Sequence, residues 1–484
     1  MAGGNHKLKN HQLFFMSRNK PQIIIENVLI TDIADDGKAV GRVDDLVVFV
    51  SHAVPGDNVN VLVTKKRKKY VEGRVAQFNQ YSEWRVEPVC PHFGVCGGCK
   101  WLDFDYEKQL VFKHKIISDC LIRIGKLDIP AIEPVLAADP TLYYRNKLEY
   151  TFSSNRWLTD EEVRSGEAVA DRNALGFHIP GMFDKVLDIN HCYLQPDPSN
   201  DIRLAVRAFA LQENMPFYDL RSHEGFLRTL VIRTSSLGEV MVIVNFHYDD
   251  ADLRRKLLDY LWKQFPHISS LMYVINPKPH DSFVDLEVQT HEGMPYIMEE
   301  MEGLKFKVGP KSFYQTNSKQ ALELYRIVRR LSGLTGKETV YDLYTGTGTI
   351  ANFIAGHAKK VVGVEFVEEA IEDAKHNSTI NRIRNTFFFA GDMKDVFTVD
   401  FIQKHGMPDV VILDPPRAGV HHKVIDSLLF ARPKRLVYVS CNPSSQARDL
   451  AMLQEFYAVK VVQPVDMFPH THHVENVVML ERRE

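Results

Sequence analysis

The 484-residue chain reads as an α/β protein of three segments, 17–82, 83–308 and 309–484. Three observations predict this. From Gly309 onward, apolar runs that read as strands ("ETVYDLY", "KVVGVEF", "NTFFFAGD", "DVVILDPP", "RLVYVSC") alternate with helical patterns. Strands separated by crossover helices give a parallel sheet covered on both faces, a doubly wound, Rossmann-like domain. Between Gln22 and Gln80, short alternating runs are punctuated by "DDG" and "PGD" turns, the pattern of a small β-barrel. Between these segments, strand runs such as "LEYTFSS" and "GEVMVIVNF" mix with the helical stretches "YEKQLVFKHKIISDCLIRI" and "LRRKLLDYLWKQF", an α+β pattern.

Charge and composition narrow the function classes. Lysine and arginine total 59 against 62 aspartate and glutamate, a net charge of −3, so the chain as a whole does not advertise a polyanionic partner. The charge is uneven, however. Lys65–Tyr70, "KKRKKY", is a dense basic run followed by an aromatic ring; it reads either as a solvated hairpin or as a contact to phosphate. No apolar run approaches the roughly 20 residues needed to cross a bilayer, so no membrane is expected. "QLFF" is too short for a signal peptide's apolar region, and a cytoplasmic location is expected. The opening Met1–Phe15 is irregular, and Met16 is an alternative start. Six cysteines are too few for a disulfide framework in such a compartment.

The third segment carries a nucleoside-binding pattern. One strand ends at Asp342–Tyr344 and passes through Gly346 and Gly348 into a helix. Glycines there allow close approach of a ligand, and the helix start offers free N–H groups. The next strand ends at Glu365, where a carboxylate can accept both hydroxyls of a ribose. The three-glycine phosphate loop is missing, which points to S-adenosylmethionine rather than a dinucleotide. "AGD", Ala390–Asp392, suits a loop against adenine, and "LDPPRAG" places Asp414 before a stiff Pro-Pro exit facing the reactive end of the cofactor.

Cys441, in "YVSCNPSS", ends the fifth of these strands. A free cysteine is most often a buried filler. This one stands in the same row of strand tips as Asp342, Glu365 and Asp414, where open α/β sheets bind ligands. Glu475, in "HHVENVVML", lies between a polar stretch and an apolar strand and can face the same cleft, although an edge carboxylate is as often merely solvated. A nucleophilic thiol and a carboxylate base beside a methyl donor suit one chemical problem. C5 of a pyrimidine is a poor nucleophile until a thiolate adds to C6; a base must then remove the C5 proton.

In order along the chain, "SFYQTN", "DLYTGTGTI", "LDPPRAG", "VSCNPSS" and "HHVENVVML" resemble the RNA uracil-5-methyltransferase family across the whole third segment. The resemblance implies Cys441 as nucleophile and Glu475 as base. It implies Gln315, Tyr344, Glu365 and Asp414 as contacts to S-adenosylmethionine. "YYRNKLEYTF" is similar to the family's RNA-facing domain, and the N-terminal barrel resembles a TRAM domain, an OB-like RNA-binding module, which turns the basic run toward phosphate.

Cys90, Cys96 and Cys99 form a Cys-x5-Cys-x2-Cys run. A fourth ligand must come from elsewhere; Cys192 is the candidate, because Cys120 lies within a helical pattern. Four thiolates suit zinc or an iron–sulfur cluster, and spacing leaves both open. Some members of the family carry a [4Fe-4S] cluster on this pattern, so the resemblance implies the cluster in preference to zinc. The barrel and these cysteines together resemble the branch acting on 23S ribosomal RNA more than the branch acting on tRNA. The expected partner is therefore RNA, ribosomal before transfer RNA, and the expected state is a monomer.

Overall fold

The computed structural model describes residues 23–484. The irregular opening, Met16 and the first residues of the 17–82 segment lie outside them. The described residues form two compact units. One runs through Pro88 and includes Asp103–Asp105 and Leu158–Asp171; the other holds Val89–Leu102, Tyr106–Trp157 and Arg172–Glu484.

In the first unit, β1 (Ile24–Ile33), β2 (Ala39–Val43), β3 (Leu46–Ser51), β4 (Asn58–Lys66) and β5 (Tyr70–Gln80) close into a barrel in the order β1-β2-β3-β5-β4. Alternation sends Val28, Ile30, Val48, Val50, Val59, Val61 and Val71 inward as its core. A Cβ on Gly73 would stand 2.4 Å from Val61 Cγ1, so this crossing admits only glycine. Asp57, wholly buried, accepts hydrogen bonds from Val54 N at 2.7 Å, Ser82 N at 2.9 Å and Arg85 Nη2 at 2.7 Å, tying the chain that leaves the barrel back to it.

The second unit begins with the cysteine run and α1 (Tyr106–Asp119). The expected helix continues only as a π-helical turn, Cys120–Ile124, with Gly125 N donating to Cys120 O. A mixed seven-stranded sheet follows, built from β6 (Lys147–Ser153), β7 (Ala174–Ile179), β8 (Met182–Asp188), β9 (Leu227–Thr234), β10 (Val240–Phe246), β11 (Ile268–Ile275) and β12 (Gln289–Gly293), in the order β12-β11-β10-β9-β6-β7-β8. Short α2 (Asp160–Ser165) belongs to the barrel unit, while α3 (Ser199–Gln212) and α4 (Ala251–Gln264) pack on this sheet's apolar core. The hairpin β13 (Ile297–Met301) and β14 (Leu304–Val308) leads into α5 (Ser318–Ser332).

The last part is the doubly wound sheet. It comprises β15 (Thr339–Leu343), α6 (Thr349–Ala355), β16 (Lys360–Glu365), α7 (Glu368–Ile380), β17 (Thr386–Ala390), α8 (Met393–Val396), α9 (Val399–His405), β18 (Val410–Leu413), α10 (His422–Ala431), β19 (Arg435–Ser440), α11 (Pro443–Leu453), β20 (Tyr457–Val465) and β21 (Glu475–Arg482). Its order is β17-β16-β15-β18-β19-β21-β20, with the order reversing between β15 and β18. The five strands read from the sequence are parallel, but the sheet is not wholly so. β21 runs antiparallel between β19 and β20, because the Asp466–Val474 connection holds no crossover helix and can only turn the chain back. Among the described residues no helix is long and apolar enough to cross a membrane.

Candidate active site

The reversal of β21 makes the site. Its first residue stands at the same edge as the carboxyl ends of β15, β16, β18 and β19. Ser440 pairs with Asn476 across the β19–β21 ladder, so Cys441 and Glu475, one step beyond on each strand, stand side by side where that ladder ends. The turn after β19 is shaped by Asn442, which caps α11 by accepting from Ser444 N at 3.1 Å, with Pro443 beginning the helix. Asn442 Nδ2 also donates to Arg417 O at 2.9 Å. The Pro-Pro loop after β18 is thereby fastened beside Cys441.

Electrostatics in this cleft are dominated by burial. Burial, reinforced by Asp414, pushes the Glu475 carboxyl up to about 8, while Arg417 pulls it down. Burial pushes Asp414 up to about 7, with Asp342 adding to the rise. Asp342 is also pushed up to about 7 by burial, against a 2.5 Å hydrogen bond donated by Thr345 Oγ1. The Cys441 thiol is raised by burial and by the negative fields of Glu475 and Asp414; Arg417 acts in the opposite direction. Arg417, the one cation in this balance, sits in "DPPR" but was not singled out by sequence reasoning. Tyr325, on α5, is another residue the sequence did not flag. Its buried hydroxyl is raised well above its ordinary range by burial, then by Asp414, Tyr314, Asp342 and Glu475, so it borders the same group of carboxylates.

The cofactor pattern stands one strand over. Glu365 accepts from Gly346 N at 3.1 Å through Oε2 and from Val367 N at 3.0 Å through Oε1, which holds the carboxylate at the tip of β16 against the glycine turn. A Cβ on Gly346 would meet nothing within 4 Å, whereas one on Gly348 would stand 2.8 Å from Ala374 Cβ. The first glycine therefore faces open space and the second packs the helix start. Tyr344 takes a left-handed φ of 67°, strained for an aromatic residue, while its N–H donates to Val364 O at 2.9 Å. An open backbone turn beside a fixed carboxylate fits a nucleoside with its ribose hydroxyls on Glu365. Gln315 lies in the segment leading to α5; its carbonyl accepts from Asn146 Nδ2 at 2.9 Å, and the following Asn317 donates to Met467 O at 3.0 Å. Asp392, in the expected adenine loop, caps α8 and pairs with Lys394 at 2.7 Å.

The four cysteines form a separate group. The thiol of Cys96 feels those of Cys192 and Cys90, and the thiol of Cys99 feels Cys96, Cys192 and Cys90. Burial pushes Cys96 up to about 11 and Cys99 up to about 12. All are free of disulfides. Cys120 is placed elsewhere, with its sulfur 3.4 Å from Ser444 Oγ. Among the described residues no three His, Cys, Asp or Glu side chains converge as ligands of one metal ion. In the barrel, Lys66–Lys69 are exposed on the β4–β5 hairpin, while Lys65 is held by Glu72 at 2.6 Å.

Comparison with known proteins agrees with this geometry. The model of the tRNA (uracil-5-)-methyltransferase family matches residues 296–483, and that of the TRAM domain matches residues 25–76. An uncharacterized RNA methyltransferase of Bacteroides thetaiotaomicron is 56% identical over 453 residues, 93% of this chain and 100% of the relative. One from Porphyromonas gingivalis is 57% identical over 461 residues, 94% of this chain and 99% of the relative. Among solved structures, the Pyrococcus abyssi tRNA (uracil-54, C5)-methyltransferase in complex with S-adenosyl-L-homocysteine superposes with a TM-score of 0.72 at 28% identity, covering 93% of this chain and 99% of that one. Full-length relatives, a matched catalytic segment and a matched barrel place the chain in the RNA (uracil-5-)-methyltransferase family.

Proposed function

We propose that the protein methylates C5 of an unpaired uridine in 23S ribosomal RNA, with Cys441 as covalent nucleophile and Glu475 as base. The observation that carries this reading is the pairing of Ser440 with Asn476, which leaves the thiol and the carboxylate adjacent at the open edge of the sheet. The base must leave its stack to reach them, which favours a loop uridine.

Bound S-adenosylmethionine supplies an electrophilic methyl group and leaves as the neutral thioether; Glu365, Asp414, Tyr344 and Gln315 are the residues that would hold it. Cys441, as thiolate, adds to C6, and the electron pair of the C5–C6 double bond moves through C5 to the C4 oxygen. Arg417, which offsets the rise in the Cys441 thiol, supports that thiolate. The enolate pair then makes C5 the nucleophile that takes the methyl. Glu475 removes the remaining C5 proton; the released pair restores the C5–C6 double bond and expels the Cys441 sulfur. A carboxyl raised to about 8 is a strong base once ionised, which suits abstraction of a carbon-bound proton.

We further propose that Cys90, Cys96, Cys99 and Cys192 hold a [4Fe-4S] cluster. The resemblance of the cysteine pattern supports the cluster in preference to zinc, and the thiol of Cys99 feels those of Cys96, Cys192 and Cys90.

The deciding experiment maps 5-methyluridine in total RNA from cells lacking this gene, before and after incubation with the purified protein and methyl-labelled S-adenosylmethionine. Label returning in large-subunit ribosomal RNA supports the reading. A second reading is a tRNA substrate, favoured by the archaeal tRNA enzyme, whose match spans 93% of this chain and so spans more than the catalytic segment. Label in the tRNA T-loop selects that reading. With Cys441→Ala, methylation that persists removes the covalent mechanism.

A further inference from the structure

The segment Asp466–Val474 leads directly into Glu475. It has no regular secondary structure, yet Asp466 and Met467 are wholly buried and His470, Thr471 and Val474 nearly so. A buried irregular segment must find partners for its backbone outside itself. Here one helix face supplies many of them. Tyr106, Gln109 and Lys113 of α1 follow the spacing of one helical stripe, but the stripe is polar, and Gln109 and Lys113 are wholly buried.

Their hydrogen bonds run along the segment in register. Lys113 Nζ lies 2.6 Å from Asp466 Oδ1 and donates to Phe468 O at 3.2 Å. Tyr106 donates its hydroxyl to Asp466 Oδ2 at 2.9 Å. His470 N donates to Gln109 Oε1 at 3.0 Å, and Gln109 Nε2 donates to Trp101 O at 2.9 Å. The His470 carbonyl accepts from both Lys100 N and Trp101 N at 3.0 Å, the two residues after Cys99. Tyr144 donates its hydroxyl to Pro469 O at 3.2 Å. His470 itself is held at a left-handed φ of 62°. Each residue from Asp466 to His470 thus has a partner outside the segment, Met467 through Asn317. A core that needed only packing would fill this stripe with apolar side chains, since buried ion pairs are replaceable by them at little cost to stability.

We propose that Gln109 and Lys113 are positioning residues for the Glu475 carboxylate, acting through the Asp466–Val474 segment. The inference rests on the reading of Glu475 as the base that takes the C5 proton. Placement matters most for that step, because a misplacement of about 1 Å costs on the order of 100-fold in rate. Cys441 is carried by β19 and the α11 cap, outside the segment, which approaches the thiol's side of the cleft only through His473, 3.3 Å from Arg417 Nη2. The segment therefore bears directly on the base and only indirectly on the nucleophile. The Lys100 and Trp101 N–H bonds to His470 O, just after Cys99, also link the cysteine run to the base-bearing segment.

The test separates the steps. Full-length Lys113→Met and Gln109→Leu proteins are mixed with target RNA and methyl-labelled S-adenosylmethionine, and label is followed in the covalent protein–RNA adduct and in free RNA. The expected result is labelled adduct formed at close to the wild-type rate and released about 10- to 100-fold more slowly. Formation and release slowed together, or adduct at the wild-type level, overturns the proposal. Should the lysine variant fail to fold by thermal melting, Gln109→Leu and Tyr106→Phe decide by the same readout; the latter removes one hydroxyl and little volume. Glu475→Gln is the reference: no labelled adduct in that variant sinks the assignment of the base, not the positioning argument alone.

Discussion

Asn442 donates its side-chain amide to the Arg417 carbonyl at 2.9 Å, joining the turn that carries Cys441 to the loop that follows Asp414. The same side chain caps α11 through its oxygen. Asn442→Ala therefore removes a cap, worth about 1 kcal/mol, together with the tie between two site loops. The variant is expected to melt only slightly below wild type and to form the covalent adduct about 10- to 100-fold more slowly. A loss of stability with unchanged adduct formation reduces Asn442 to a helix cap.

Asp342 and Asp414 pushed up to about 7, and Glu475 to about 8, make the protein's stability depend on pH in a definite sense. In the unfolded chain such carboxyls lose their protons near pH ~4. The folded state keeps them to higher pH, so the stabilisation they contribute is full in acid and is lost as pH rises through about 7 to 8. Thermal melts of the cofactor-free protein should show Asp414→Asn gaining on wild type between about pH 5 and pH 9, by a few kcal/mol at most, one pKa unit being about 1.4 kcal/mol. An unchanged difference across that range contradicts the burial argument.

Activity should move the other way. In the proposed reaction, proton abstraction needs the Glu475 anion and addition needs the Cys441 thiolate, and both groups are raised by burial. Single-turnover methylation is expected to climb as pH passes about 8. A profile flat from neutral pH upward would mean that bound substrates ionise both groups before chemistry.

Electrostatics on the barrel divide the basic run. Lys65, Lys68 and Lys69 are all exposed, but Lys65 is held at 2.6 Å by Glu72, which also meets Lys38 at 3.2 Å. Lys68→Gln with Lys69→Gln should weaken RNA binding and flatten its dependence on salt by roughly 0.7–0.9 in the log–log slope per phosphate lost. Lys65→Gln should do neither to the same degree. Equal effects from all three positions would mean that the hairpin rearranges on RNA.

The strand tips were legible because the five parallel strands announce themselves by apolar runs bounded by turn residues, and chemistry in such sheets collects at their carboxyl ends. Cys441, Asp414 and Glu365 could be placed from that alone. Glu475 could be placed only by resemblance and by its polar-to-apolar boundary, since its usefulness depends on β21 running backwards. Arg417 was hidden as one arginine among many, with no spacing that marks it. The polar face of α1 was harder still. Gln109 and Lys113 read as an ordinary amphipathic helix, and their partners Asp466 and His470 lie more than 350 residues away in the chain.

The cysteine group offers the cleanest choice between two compositions. The thiols of Cys96, Cys99 and Cys192 each feel Cys90, and burial raises all four, so any resident cation must displace their protons. Cys120 lies against Ser444 and outside this group. Protein purified without oxygen should be brown and hold about four irons per chain. Cys192→Ser should lose that colour and most of the iron, while Cys120→Ser should keep both. Colourless protein with about one zinc would replace the cluster by a structural zinc and require the four sulfurs to draw together onto one point. Iron retained in Cys192→Ser would leave the ligand set incomplete and send the search for the fourth ligand elsewhere in the central segment.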